Sequence, residues 1–327
     1  MSYFPEKIPL LGNPPGALRR GSDFESIRGL LEEILVNVEK TCHPDPKQKI
    51  VSLGKSIHFI LPGGGVKGCF QAGFLYRLWT AYQGRFTIYR IDGTSVGSLN
   101  GLALATHRLE KLKEMWLAIR SMSDLFSNTS RWQLGALVNG FYSRGIYDNS
   151  NLLHKISTYE DLRDGDYPDL EKFNCVVMDI DEGRSYYING TNTRIRDFVL
   201  ASSSPLIITQ PQSIDGHLYT DGGLLENFPI EYCANSNADL QVMVGYDAIY
   251  ENLRSEIGNN IFTYLQSLID ITRREHYHQV IQRIHQLGLI VIPYGVQTDF
   301  INFHPDVIRN GLMIGELAAD DFASKYL

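Results

Sequence analysis

Past residue 50 the chain alternates short β-branched runs with stretches whose apolar residues recur every three or four positions. A strand run that is apolar throughout must be covered on both faces, and a helical stripe must bury itself against something. Alternating the two implies parallel strands joined by helical crossovers. Strands are expected at Ser56–Leu61, Phe86–Ile91, Asn174–Asp179 and Leu240–Tyr246, with a hairpin strand at Arg184–Asn189. Helices are expected over Phe70–Tyr82, Val96–Ala105, Leu109–Arg120 and Ile261–Leu287. No fixed-period repeat or low-complexity tract breaks the pattern. The fold class is therefore α/β, three layers in the order α/β/α around a mostly parallel central sheet.

A length of 327 residues exceeds the usual span of about 100–200 per domain, yet one α/β unit can absorb it. Residues 1–50 stand apart. Met1–Arg20 is rich in Pro and Gly without periodicity, and reads as an extended arm. Ser22 and Glu25 then form a capping box, opening an amphipathic helix through Ile27, Leu30, Leu31, Ile34, Leu35 and Val38. Pro44 and Pro46 end it in a linker. Because its polar face is acidic rather than basic, this helix is expected to dock on the protein's own core, the alternative being contact with a partner or a membrane. The expected division is an N-terminal arm, helix and linker over 1–50 and a larger α/β domain over 51–327.

Charge and hydropathy exclude several classes. With 30 basic and 37 acidic residues the net charge is −7, and no run of Lys and Arg offers a footprint for nucleic acid. The best apolar stretch, Leu287–Val296, is interrupted by Gly288 and Pro293 and falls short of the roughly 18 residues a spanning helix needs. The N-terminus lacks an uninterrupted apolar core behind a basic head, so cytosolic maturation without a signal peptide is expected. Cys42, Cys69, Cys175 and Cys233 are scattered and read as unpaired core thiols.

Three short motifs carry chemistry. Gly63-Gly64-Gly65-Val66-Lys67-Gly68 lies between an expected strand and helix, where successive glycine N–H groups can form a nest for a phosphate or an oxyanion. It matches neither the P-loop nor the dinucleotide fingerprint, and a plain tight turn is the alternative. Gly93-Thr94-Ser95-Val96-Gly97 also lies between strand and helix, the place where a sharp turn exposes a serine hydroxyl. That spacing alone arises by chance about 0.2 times in a chain of this size, so its context carries the weight. Tyr219-Thr220-Asp221-Gly222-Gly223 is by itself an ordinary turn. Paired with a serine elbow, its aspartate becomes a candidate general base.

GGGVKG, GTSVG and DGG in this order resemble the patatin-like phospholipase family. The resemblance runs from about Gly54 to Tyr326 and includes FNCVVMDIDEGRSYYING, the ASSSP turn and ENFP. It implies a patatin-like fold and a serine acyl hydrolase with a Ser95–Asp221 dyad. It also implies an oxyanion hole from the loop of Gly63, Gly64, Gly65, Lys67 and Gly68, and phospholipid or other lipid ester substrates met through peripheral membrane contact. No metal or organic cofactor is implied. Pro62 and Ser203-Ser204-Pro205 depart from the family's pattern, where a small or acidic residue and a more apolar turn are usual. The alternative function is a catalytically silent module of the same fold that holds a lipid or phosphate headgroup.

His276, His278, His285 and His304 follow Asp221 in the order of a serine, aspartate and histidine triad. The first three fall on a polar helical pattern, where His276 and His278 do not share a face, and solvated surface is expected. Trp132, Leu134, Leu137, Val138 and Phe141 form an apolar cluster expected to serve as core or pocket wall, the alternative being a mobile lid or membrane-dipping loop.

Overall fold

The computed structural model describes residues 54–128, 145–152, 154, 167, 169–205, 207–246, 264, 277–296 and 298–327. The arm, amphipathic helix and linker of 1–50, Cys42, the Trp132–Phe141 cluster and His276 lie outside the described residues. Of the helix expected over 261–287, the stretch 277–287 is described and helical.

In chain order the strands are β1 (Lys55–Leu61), β2 (Phe86–Thr94), β3 (Ser127–Asn128), β4 (Gly145–Asp148), β5 (Phe173–Asp179), β6 (Arg184–Asn189), β7 (Ile207–Thr209), β8 (Gln212–Ile214), β9 (His217–Asp221), β10 (Leu240–Tyr246) and β11 (Ile290–Pro293). The helices of at least eight residues are α1 (Gly68–Tyr82), α2 (Val96–Ala105), α3 (Leu109–Ala118), α4 (Ile195–Ser202) and α5 (Pro305–Tyr326). The main sheet runs β11-β10-β1-β2-β5-β9-β8, with β6 also paired to β5, while β3, β4 and β7 form a small second sheet. From β11 to β5 the pairings are parallel, and β6, β8 and β9 add an antiparallel edge. This is the expected α/β class.

β1 shows how the two faces of a central strand are covered. Ile57, Phe59 and Leu61 bury one face in the larger core with α1 and α2, while Ile60 faces a second core of Phe228, Ile230, Met243 and Tyr277. Both faces are covered, and the polar His58 between Ile57 and Phe59 is buried with Asp92 as its partner. The sheet order reverses at β1, which pairs with β2 on one side and β10 on the other. Open α/β sheets bind ligands outside the carboxyl ends of their strands at such a switch point. The glycine loop leaves β1 there.

Helix α1 is buried continuously from Gly68 to Leu75, because α5 covers the side turned away from the sheet. Their backbones touch. A Cβ on Gly73 would stand 2.0 Å from the Leu312 carbonyl oxygen, and one on Gly315 would stand 2.1 Å from the Phe70 carbonyl oxygen. Gly73→Ala should therefore destabilise the protein by about 1–3 kcal/mol despite alanine's better helix propensity, since the clash is with backbone that cannot rotate away. A thermal melt showing an unchanged or higher midpoint would refute this close approach.

Candidate active site

Ser95 sits between the last residue of β2 and the first of α2 with φ 55° and ψ −128°. A non-glycine residue in that region costs on the order of 1–3 kcal/mol and persists only when its surroundings hold it. Here they do. The Ser95 N–H donates to Ser202 Oγ at 2.9 Å, and its carbonyl accepts from Ser98 N at 2.9 Å and Ser98 Oγ at 2.6 Å. Ser202 Oγ donates in turn to the Val176 carbonyl at 2.7 Å, locking the turn to β5. The flanking glycines are required by space, since a Cβ on Gly97 would stand 2.0 Å from the Leu61 carbonyl oxygen.

Asp221 is delivered from the opposite direction. β6 occupies one edge of β5, and β2 and β9 share the other, arriving end to end. Thr94 pairs with Val176 and Asp221 with the adjacent Val177, so the two strand ends meet one ladder step apart. Ser95 Oγ donates to Asp221 Oδ2 at 2.6 Å, a length typical of a hydroxyl on a carboxylate. Oδ1 accepts the Gly223 N–H at 2.7 Å, which orients the carboxylate. The ASSSP turn steadies this end of β9: the Ser204 carbonyl accepts from Thr220 Oγ1 at 2.7 Å and from Asp221 N at 3.1 Å.

The glycine loop closes the third side. The Gly63 N–H donates to the Asn227 carbonyl, Val66 N–H to Phe300, Lys67 N–H to Gly64, and Gly68 N–H to Gly65 and Val66. The N–H groups of Gly64 and Gly65 have no acceptor among the described residues. Of the five loop positions singled out from sequence, these two keep donors to offer, whereas Gly63, Lys67 and Gly68 spend theirs shaping the loop. Gly65 has φ 56°, and a Cβ there would stand 2.2 Å from the Phe300 carbonyl oxygen. Both the left-handed backbone and the close approach call for glycine.

Gly65 and Ser95 open onto an apolar pocket whose walls include Leu99, Met115, Trp116, Phe126, Leu152 and Phe303. Ser95 and Ser203 supply its polar side chains, and no Lys, Arg or His lines it among the described residues. Apart from those two hydroxyls and the backbone of Gly65, its lining is apolar.

Four of the described histidines have partners away from Ser95 and Asp221. His58 pairs with Asp92 at 2.9 Å in the buried sheet, His107 with Asp169 at 2.6 Å and His217 with Asp179 at 2.9 Å. His304 caps α5 by accepting the Asp306 N–H, and His278 and His285 are exposed on the 277–287 helix. Asp179, Asp181 and His217 bring three ligand-type atoms within 4.8 Å, a grouping the sequence spacing does not reveal. Desolvation would raise the Asp179 carboxyl, but N–H bonds from Glu182 and Asp181 and the His217 ring hold it below the usual carboxylate range. Burial pushes the Cys69, Cys175 and Cys233 thiols up to about 12, which makes them inert core residues, as expected for three of the four cysteines.

Sequence reasoning overlooked several supports. Ser202 and Asn227 lay inside quoted motifs without a role. Glu226 ties the Ser95 elbow to the segment after Asp221, its carbonyl accepting from Thr94 Oγ1 at 3.0 Å. Its side chain accepts the Tyr187 hydroxyl, and desolvation holds its carboxyl above the ordinary range. Their nearest sequence signal is proximity to GTSVG and DGG.

This fold and elbow belong to a known class. The patatin-like phospholipase family model matches residues 59–234, more than half of the chain, and the chain belongs to that family. Among curated proteins it is 26% identical over 221 residues to lysophospholipase nte1 of Aspergillus oryzae and 25% identical over 210 residues to lysophospholipase nte1 of Aspergillus niger. Each match covers 64% of this chain, and the chain spans only 13% of either relative's length. The crystal structure of VipD from Legionella pneumophila overlays with a TM-score of 0.36 and 12% identity, covering 82% of this chain and 67% of that one, too loose a likeness to bear on the site. No helix among the described residues is long and apolar enough to cross a membrane.

Proposed function

We propose that this chain is a serine acyl hydrolase of phospholipase A or lysophospholipase type, acting on carboxylic esters of lipids from a catalytic domain over 51–327. The observation that carries the reading is the 2.6 Å bond from Ser95 Oγ to Asp221 Oδ2 at the mouth of an apolar pocket. With an acyl chain in that pocket, Ser95 Oγ attacks the ester carbonyl as its proton passes to Asp221. The N–H groups of Gly64 and Gly65 receive the developing oxyanion, each such donor being worth roughly 3–4 kcal/mol in comparable enzymes. Collapse breaks the C–O bond, and the alcohol leaves with the proton from Asp221. Water then attacks the acyl-enzyme, giving its proton to Asp221, and Ser95 is restored as the fatty acid departs. The relatives' printed name, lysophospholipase, supports monoacyl lipids as the first substrates to try. Catalysis requires no metal or organic cofactor in this scheme, and the protein reaches its lipid by peripheral contact.

The headgroup-binding alternative is disfavoured by the pocket, which lacks a cationic side chain among its described walls. A fluorophosphonate probe followed by peptide mass mapping tests the proposal. The expected adduct is on Ser95, with fatty acid released from lysophospholipids by wild type and not by Ser95→Ala. An unlabelled, folded protein inert towards a panel of lipid esters would sink it.

A further inference from the structure

Two amide side chains occupy helix positions that packing alone would give to apolar residues. Gln71 lies between Phe70 and Ala72 in α1, Asn100 lies between Leu99 and Gly101 in α2, and both are fully buried. A buried amide is costly unless its hydrogen-bonding groups are satisfied. Asn100 Nδ2 donates to the Gly68 carbonyl and to Gln71 Oε1, each at 2.9 Å, and Asn100 Oδ1 accepts from Trp116 Nε1 at 3.3 Å. Gln71 Nε2 donates to the Pro62 carbonyl at 2.8 Å and the Val244 carbonyl at 2.9 Å, with the Tyr294 hydroxyl at 3.1 Å. The chain has one direction, from indole N–H through two amides to main-chain carbonyls, and hydrogen bonds aligned this way polarise one another.

The endpoints give the chain its meaning. Pro62 immediately precedes the three glycines and Gly68 closes the loop, so one amide pair grips both ends of the segment that presents Gly64 and Gly65. The Val244 bond fixes the same segment to β10, on the far side of the switch point. At the other end Trp116 is a wall of the apolar pocket. Pocket wall and glycine loop are thus parts of one hydrogen-bonded unit.

We infer that Gln71 and Asn100 are positioning residues for the proposed hydrolysis, holding the Pro62–Gly68 loop so that the Gly64 and Gly65 N–H groups point at the forming oxyanion. The inference rests on the acyl-hydrolase reading above. Neither residue touches substrate. Their contribution is made in the transition state, where a loop displaced by a fraction of an ångström weakens donors without weakening ground-state binding.

The test uses the full chain with Gln71→Met and Asn100→Leu, substitutions that keep bulk and remove the donors. Active sites are counted by end-point fluorophosphonate labelling, and kcat and KM are measured on a soluble acetyl ester. The expected result is a kcat per labelled site lower by about 10- to 100-fold with KM within about threefold, as for loss of donor alignment. Hydrogen exchange should quicken in residues 62–68 and stay unchanged in β5. A folded variant with wild-type kcat per site and wild-type exchange in the loop overturns the inference, even if its melting temperature drops. Should neither variant fold, Trp116→Phe keeps the ring and deletes the first donor; a severalfold lower kcat supports the relay and an unchanged one overturns it. If wild type is never labelled, the acyl-hydrolase reading fails, and the exchange data alone decide whether the amides hold the loop.

Discussion

Ser95→Ala should lower kcat on a soluble ester by about 10⁴-fold or more, and Asp221→Asn by about 10³-fold or more, with both proteins folded as judged by circular dichroism and melting. The first removes the attacking atom, and the second keeps the shape of the side chain while removing its capacity to accept a proton. Because the two act as one unit, the double variant should be scarcely worse than Ser95→Ala. Non-additivity of this kind separates a dyad from two independent contributions. Alanine at His278, His285 or His304 should keep kcat within about tenfold, since loss of a general base typically costs about 10² or more. Near-wild-type turnover in Asp221→Asn, or a thousandfold loss in one folded histidine variant, would replace the dyad with another base.

The second large effect is expected at Gly65. An alanine there must leave φ 56° or push against the Phe300 carbonyl, which stands 2.2 Å from the would-be Cβ and already accepts the Val66 N–H. Either response moves the loop that presents the Gly64 and Gly65 donors. We expect kcat to fall about 10²- to 10³-fold, the range seen when one oxyanion donor is lost, with KM changed by less than about threefold. Gly64→Ala should be milder, because the nearest atom to its Cβ is the Tyr294 hydroxyl at 2.8 Å, the end of a side chain that can swing away. A rise in KM at constant kcat in Gly65→Ala would assign the loop to ground-state binding. Steady-state kinetics on one soluble ester decide between the two.

These effects share a structural origin. Ser95, Asp221 and the glycine loop each stand at the carboxyl end of a different strand, β2, β9 and β1, and hydrogen bonds to main-chain carbonyls tie these ends in place. Asn227 accepts the Gly63 N–H, Glu226 accepts the Thr94 hydroxyl, and Ser204 accepts the Asp221 N–H. The segment after Asp221 touches all three parts, since the Gly223 N–H also bonds Asp221 Oδ1, while Ser98 and Ser202 hold the strained Ser95 turn itself.

What the sequence by itself determined is whatever local backbone chemistry or full burial dictates. β10 and α2 fall on their expected residues, and β1, β2 and β5 differ only at their ends, because the β-branched and aromatic residues of the strands favour a pleated, partly buried surface. The glycine turn and the serine elbow are legible for the same reason: a positive φ or a backbone contact at van der Waals distance admits few residues. Short strands such as β8, β9 and β11 carry too few residues for a period to emerge. Helix α5 was hidden by Gly311 and Gly315, which lower helix propensity locally and are needed only because another helix lies against them. Tertiary structure alone decided that Ser95 meets Asp221, 126 residues later, since that meeting depends on β2 and β9 ending at adjacent positions of β5. It also decided which loop N–H groups remain available and why Gln71 and Asn100 are polar, because a hydrogen bond's partner lies across space and leaves no periodic trace along the chain.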